Sequence, residues 1–205
     1  MYVPRANVVE HEEDVRAMVA GVGSAELVTV GADGYPRATL LPVLWEGDTV
    51  IAHIARANDH WREIVDGAPA LMVCTGAQAY VTPSWYAGKT EHGRVVPTWN
   101  YSTVHLLGRV HLHDDPEFVR RAVTSLTDRH EQVRPEPWTV ADAPEKFVDG
   151  QLRAIVGIEL RVERVEAKAK LSQNRSEEDR ASVAAGLAAG TPEERVVAQQ
   201  MGTGA

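Results

Sequence analysis

The runs AELVTVG, RATLLPVLWEG and DTVIAHIA, between residues 25 and 55, stand so close together that only tight turns can join them. A parallel pairing needs a crossover of a dozen residues or more, so these runs predict antiparallel hairpins. Ala32-Asp33-Gly34 and Glu46-Gly47-Asp48 are the turn signals between them. The rest of the chain keeps that character. HWREIVDG reads as a short helix ending at Gly67, PALMVCTG and QAYVTPSWY as two strands, and AGKTEHGR as a polar loop. Strand signal resumes at STVHLLGRVHLH, and QLRAIVGIELRVERVEAK reads as the last long strand, with a loose stretch holding three prolines over about 133–145 before it.

The helices belong to the ends and to one insertion. One is expected over about 10–20, with Glu12, Glu13 and Asp14 near its positive end and Gly21 and Gly23 stopping it. Asp114-Asp115-Pro116 supplies caps and a first-turn proline, and Phe118, Val119, Ala122, Val123 and Leu126 follow as one apolar stripe. Ser176-x-x-Asp179 and Thr191-Pro192-x-Glu194 open two closing helices as capping boxes, with Val183/Leu187 and Val196/Val197 as modest apolar faces and a frayed tail from Met201. Six or seven strands joined mainly by hairpins predict an antiparallel barrel, mainly β with peripheral helices. The pattern contains neither a βαβ alternation nor a Gly-rich phosphate loop.

Composition narrows the partners. The 205 residues carry 21 basic and 29 acidic side chains, a net charge of −8, with no basic block longer than a pair. Nucleic-acid affinity rests on Lys and Arg neutralising phosphates, so direct DNA binding is not expected. No apolar run reaches the length of a membrane span, and the start MYVPRANVVEHEEDV lacks a signal peptide's basic and apolar regions, so a cytoplasmic location is expected. The single cysteine, Cys74, sits in PALMVC and reads as a buried, inert thiol.

Several stretches carry groups that a plain core would not need. In HIARANDHW, His53, Arg56 and Asn58 sit at a strand-to-helix junction, where a guanidinium and the free N–H groups of a helix over 59–66 suit a phosphate. A solvated Arg beside an ordinary Asn cap reads the same spacing equally well. PRATLLPVLW bears Arg37 and Thr39 with Pro42 in mid-strand, the mark of an edge or bulge where a flat ligand, or nothing, lies against open backbone. Trp85, Tyr86, Trp99 and Tyr101 bracket a polar loop and offer stacking area with a polar handle, for a cofactor or a dimer interface. KAKLSQNRSEED places Lys168 and Lys170 on a strand end before hydrogen-bonding side chains that read either as a polar connection or as a cap over a heterocycle. His111 and His113 share a strand face, with His105 on the same parity, but no third ligand is fixed and no metal site is assigned. G-x-S-x-G is absent.

Taken together, MYVP at the start, R-x-T-x-L-P at 37–42, H-I-A-R-A-N at 53–58, P-S-W-Y at 83–86, V-P-T-W-N-Y at 96–101 and K-L-S-Q-N at 170–174 resemble the PaiB family of FMN-binding negative transcriptional regulators. The resemblance runs from Met1 to about Asp179. It implies the FMN-binding split β-barrel, of Greek-key type, over 1–175 with a C-terminal helical extension over 176–205, and a homodimer with FMN at the subunit interface. In that light Arg56 and Asn58 would hold the phosphate, helped by His53 or Lys170. The strand of Arg37, Thr39, Leu40 and Leu41 would lie along the isoalloxazine edge. Trp99, Asn100 and Tyr101 would line the cleft, and Gln173 and Asn174 would close it.

Three functions fit such a chain. One is a regulator or flavin-state sensor working through small-molecule or protein contacts. The second is a flavin-dependent oxidoreductase on the same barrel, linked to a flavin or nicotinamide, with His53, His105 and Tyr101 as the available acid–base groups. The third is a haem or other small-molecule binder using one histidine. The fold alone does not separate them.

Overall fold

The computed structural model describes residues 1–203. In chain order the elements are α1 (Glu12–Val22), β1 (Ser24–Val30), β2 (Pro36–Pro42), β3 (Leu44–Glu46), β4 (Thr49–Ala55), α2 (His60–Glu63), β5 (Pro69–Val81), α3 (Gly88–His92), β6 (Thr98–His113), α4 (Pro116–Glu131), α5 (Glu145–Leu152), β7 (Ile155–Lys170), α6 (Glu177–Ala188) and α7 (Pro192–Thr203). Seven strands form one sheet in the order β2-β1-β5-β6-β7-β4-β3. The pairings of β1 with β2 and β5, of β3 with β4, and of β4 with β7 are all antiparallel. Both hairpin signals turn the chain as expected, with Gly34 and Gly47 at positive φ (83° and 56°), a conformation that costs glycine nothing.

The chain divides into two compact units. The first takes residues 1–18, 75–104 and those from 166 on, and the second takes 19–74 and 105–165. In the second unit, alternation along the strands builds the interior. Val50, Ala52 and Ile54 of β4 face Leu160, Ile158 and Val156 of β7 in register, all almost wholly buried. Backbones come closest at Gly108, where a Cβ would lie 1.9 Å from the Arg161 carbonyl oxygen, so only hydrogen fits there. Asp115 caps α4 by accepting from the Glu117 and Phe118 N–H groups, and Val119, Ala122 and Leu126 of the expected stripe are buried. The Phe118 ring lies over Gly157, leaving no room for a side chain at that position.

In the first unit, Ala79, Val81, Tyr86, Ala169 and Leu171 pack with Val183, Leu187, Val197 and Met201 from α6 and α7. Thr191 and Glu194 exchange hydrogen bonds (2.7 and 3.2 Å) as a capping box should, whereas Ser176 accepts from the Asp179 N–H without the reciprocal bond, the Asp179 carboxylate accepting instead from the Gly88 N–H. Met201, expected in a frayed tail, is a buried core residue; residues 204 and 205 lie outside the described residues.

Several expectations differ, among them the polar loop AGKTEHGR, which carries the short helix α3. The stretch 69–81 is one 13-residue strand rather than two, running through Thr75 and Gly76 without a break. Pro42 ends β2 instead of interrupting it, and Val43 turns to donate to the Gly23 carbonyl (3.0 Å) before β3. The helix expected over 59–66 is a single turn of four residues. It stops because Gly67 and Ala68 exchange hydrogen bonds with Val110 (2.7 and 3.0 Å), which pulls the chain extended. Residues expected to begin the last strand instead finish α5, two turns that bury Val148 and Leu152 four positions apart.

Leu187 is fully buried among side chains of the first unit. Leu187→Ala is expected to lower the unfolding free energy by about 2–5 kcal/mol, the usual cost of a leucine cavity, as read by urea unfolding. A loss below about 0.5 kcal/mol would show that α6 and α7 ride on the unit without stabilising it.

Candidate functional site

The second unit gathers polar side chains at one corner, where β2 meets the turn after β4. Arg37, Thr39 and Leu41 alternate onto one side of β2, and α2 brings His60 against it. His60 is buried, 6% exposed. Its Nε2 lies 2.9 Å from Thr29 Oγ1 and its Nδ1 2.8 Å from Thr39 Oγ1. Asn58 donates from Nδ2 to Thr39 Oγ1 (3.3 Å), and its Oδ1 accepts the His60 N–H (3.0 Å), a local Asx turn. With Thr39 already accepting from Asn58, the tautomer that uses every group has the Thr39 hydroxyl donating to Nδ1 and Nε2–H donating to Thr29. Burial, with Arg37 nearby, moves the His60 pKa below its ordinary value while Glu63 opposes the shift. The imidazole is therefore neutral at pH 7.

Two arginines of this unit, Arg37 and Arg56, are among the expected site residues. Arg37 pairs with Asp33 (2.8 Å) and with Glu63 (3.1 Å), and that hydrogen bond from Arg37 holds the Asp33 carboxyl below the usual carboxylate range. Arg56 turns toward α4 and α5. It donates to the Arg153 carbonyl (3.0 Å) and the Ile155 carbonyl (3.2 Å) and forms an ion pair with Asp114, whose side chain is 74% exposed. With Arg120 and Arg153, Arg56 lines a groove of about 550 Å³ that also presents Asp114 and Asp149. The structure therefore brings Thr39, Asn58 and Arg37 to one corner and gives Arg56 its own set of acceptors. A single-turn α2 offers no helical N-terminus to add to either.

His53 lies on β4 opposite Gly157. Its Nδ1 is buried without a hydrogen-bond partner among the described residues, and burial lowers its pKa. Leu41 points into the core while Leu40 is exposed, as two neighbours on a strand must be. β2 stands at the end of the strand order, so one of its backbone edges has no strand beside it.

The remaining candidates lie in the first unit. Asn100 is fully buried, donating to the Met201 sulfur (3.4 Å) and accepting from the Ser172 hydroxyl (3.1 Å). Gln173 accepts the Leu171 N–H (2.7 Å) and donates to the Ala169 carbonyl, pinning a turn in which Ser172 adopts φ 64°. The V-P-T-W-N-Y and K-L-S-Q-N motifs thus meet through Asn100 and Ser172. Trp99 and Tyr101 alternate to the other side of β6. Trp99 is half exposed, with its indole N–H on Gln78 Oε1 (3.0 Å), and Tyr101 lies under the Lys168 ammonium. Lys170 donates to Thr98 Oγ1 (2.5 Å) and to the Trp99 carbonyl, and Asn174 is exposed.

Sequence reasoning missed His60, hidden in a stretch read only as helix, although His two residues after Asn58 was a usable signal. The other histidines pair locally: His111 sits 3.3 Å from Asp66, and His113 stacks on Phe118 (3.7 Å between ring centres). Cys74 is buried as expected, and burial pushes its thiol up to about 11.

The sequence profile of the family described as "Putative FMN-binding domain" matches residues 1–164. The protease synthase and sporulation protein PAI 2 of Bacillus subtilis (strain 168) is 31% identical over 183 residues, which cover 87% of this chain and 85% of that one. Among solved structures, the FAD and haem binding protein of Mycobacterium smegmatis superposes with a TM-score of 0.60 at 20% identity, covering 84% of this chain and 78% of the other. A conserved hypothetical protein of Mycobacterium tuberculosis also gives 0.60, at 15% identity and 85% and 92% coverage. These structures share the split-barrel fold with this chain.

His53 and His60 both titrate below the ordinary 6.5 in the folded chain. As pH falls, the unfolded chain takes up these protons first, so their contribution to stability is complete above about pH 6.5 and is lost as pH drops through the lowered values. Urea unfolding from about pH 7.5 to 5.5 is expected to show falling stability, with a shallower slope in His60→Gln. An identical slope in that variant would mean that His60 is not held neutral.

Proposed function

The chain belongs to the PaiB-type family of FMN-binding proteins, and we propose that its second unit holds the phosphate end of FMN at the β2–α2 corner. The observation that carries this reading is the closed network of Thr39, Asn58 and His60, with Arg37 on the same side of β2. The Thr39 hydroxyl is spent on His60, so the donors left for a phosphate are the second Asn58 amide N–H and the Arg37 guanidinium. Arg56 pairs with Asp114, which is largely open to water, while Arg37 pairs with Asp33 and Glu63, which are partly open; such exposed pairs contribute little and can give way to a phosphate dianion. Arg56, which has its own acceptors in this structure, would have to turn from them to add a second cation, and the open backbone edge of β2 at Leu40 and Leu41 is the place for the flat ring. When bound, FMN supplies the redox chemistry.

The chain's own contribution is binding and orientation. His60 is buried with both ring nitrogens taken by threonine hydroxyls, so it is not placed to deliver protons. This favours a flavin-state sensor or regulator over a catalyst. With 29 acidic against 21 basic side chains, its output passes through small-molecule or protein contacts rather than a grip on DNA. We read the working form as a cytoplasmic homodimer, at twice the 22.4 kDa chain mass in sedimentation. No described helix is long and apolar enough to cross a membrane.

The purified chain, mixed with FMN and freed of excess, is expected to keep an oxidised-flavin absorption spectrum at about one flavin per chain. Arg56→Ala and Thr39→Val are each expected to weaken FMN by about tenfold, the scale of one charge-assisted or buried hydrogen bond, without loss of the folded far-UV spectrum. No retained flavin at micromolar concentration would sink the reading. Unchanged affinity in both folded variants would move the phosphate elsewhere.

A further inference from the structure

In the first unit, a sheet face carries aromatic rings and cations together. Trp99 and Tyr101 are two apart on β6, and Lys168 and Lys170 two apart on β7, so each pair shares a side. The Lys168 ammonium stands 5.1 Å from the Tyr101 ring centre, which puts both pairs on the same side. Tyr80 of β5 joins them, its ring 6.3 Å from that of Trp99 and tilted by 55°. Trp99 and Tyr80 are 46% and 47% exposed, far more than packing requires of residues this large. The Trp99 ring is nevertheless held in place, through its bond to Gln78.

The cations on this face are held by neutral groups, although Glu166 shares their side of β7. Lys168, 8% exposed, donates to the Tyr2 carbonyl (3.3 Å), and Lys170 donates to a hydroxyl and a carbonyl. Neither forms an ion pair among the described residues, and Glu166, further along β7, pairs with the Met1 amino group. The charges that act on Lys170 are those of Lys168 and Arg175, both positive, and together with burial they lower its pKa. Arg175 itself lies over the Tyr86 ring, 4.7 Å from its centre. An anion placed here relieves the repulsion and meets ammonium groups already fixed by neutral acceptors.

We propose that this face binds a nucleotide distinct from FMN, its heterocycle stacked on Trp99 beside Tyr80 and its phosphate taken by Lys170 and Lys168. Stacking on an aromatic ring is indifferent to which base it meets, and the lysines require the phosphate. Two lysines on a chain of net charge −8 suit a small ligand rather than a nucleic-acid strand, which needs a track of cations. A mononucleotide and a nicotinamide dinucleotide share this chemistry. The inference does not depend on where FMN sits.

The test is calorimetric titration of the FMN-loaded chain with ATP and, separately, with NADPH. Saturable binding of at least one of them at one per chain is expected, weakened about tenfold or more in Trp99→Ala and in Lys170→Met, the scale of one stacked base or one charged contact. Binding of NADPH alone assigns the ring to the nicotinamide half; binding of both assigns it to the adenine nucleotide they share. FMN retention is followed in the same variants. Displacement of FMN by the nucleotide, or loss of FMN with either substitution, would return this face to the flavin and overturn the inference. So would binding of neither nucleotide, or undiminished binding in both variants. If the chain retains no flavin at all, the FMN reading fails, and the same titration on the flavin-free chain still decides this one.

Discussion

The corner of the second unit depends on one buried imidazole. His60 has an N-acceptor and an N-donor and nothing else polar to offer, and each is met by a threonine hydroxyl, Thr39 on β2 and Thr29 on β1. A neutral imidazole can be enclosed at modest cost only when both nitrogens are satisfied. That requirement fixes α2 against the β1–β2 hairpin. Through the Asx turn it also fixes Asn58, and through Asn58 the orientation of the Thr39 hydroxyl. The side chains offered to a phosphate are thus held by a group that never reaches it.

The first unit shows the opposite use of polar residues. Asn100 and Gln173, which the sequence presents as groups for a ligand, spend their hydrogen bonds on the protein itself: Asn100 on Ser172 and Met201, Gln173 on the backbone of its own turn. A buried amide with four hydrogen-bonding positions must be satisfied wherever it lies, and a turn that forces Ser172 to φ 64° needs such bonds to persist. The polar residues of the two motifs therefore divide. Alternation sends Asn100 inward to join β6 to the turn after β7 and leaves Trp99 and Tyr101 on the other side. That division follows from strand parity, but only once it is known that the strand begins at Thr98.

Much of the fold was legible because local chemistry and tertiary need agreed. Gly34 and Gly47 sit where turns demand positive φ, Asp115 and Pro116 start α4, and Ser176 and Thr191 cap α6 and α7. The misreadings fall where a distant partner overrode the local signal. Helix 59–66 had suitable residues, yet pairing of Gly67 and Ala68 with Val110 ended it after one turn. The helix α5 escaped notice because two turns containing Gly150 bury only Val148 and Leu152, too few for a visible period. At the site, the residue types were legible and the partners were not. Nothing in H-I-A-R-A-N says that Arg56 will turn to the carbonyls of Arg153 and Ile155, about a hundred residues on.

The same pairing bears on how a negatively charged chain takes up a negatively charged ligand. A net charge of −8 repels an incoming phosphate, but exposed charges are screened beyond about 8 Å at physiological salt, so the local set decides. At the corner that local set is Arg37, already facing Asp33 and Glu63, both partly in water, while Arg56 faces the exposed Asp114 in its own setting. An exposed carboxylate loses little on release because water takes the place of its partner. A phosphate gains more, since it carries a larger charge and accepts from the free N–H of the Asn58 amide as well. The ion pairs of Asp33 and Asp114 thereby keep Arg37 and Arg56 extended and in place without binding them tightly. On the reading proposed above, such placeholders would let the corner stay ordered without ligand and still favour a dianion over the monoanionic carboxylates it displaces.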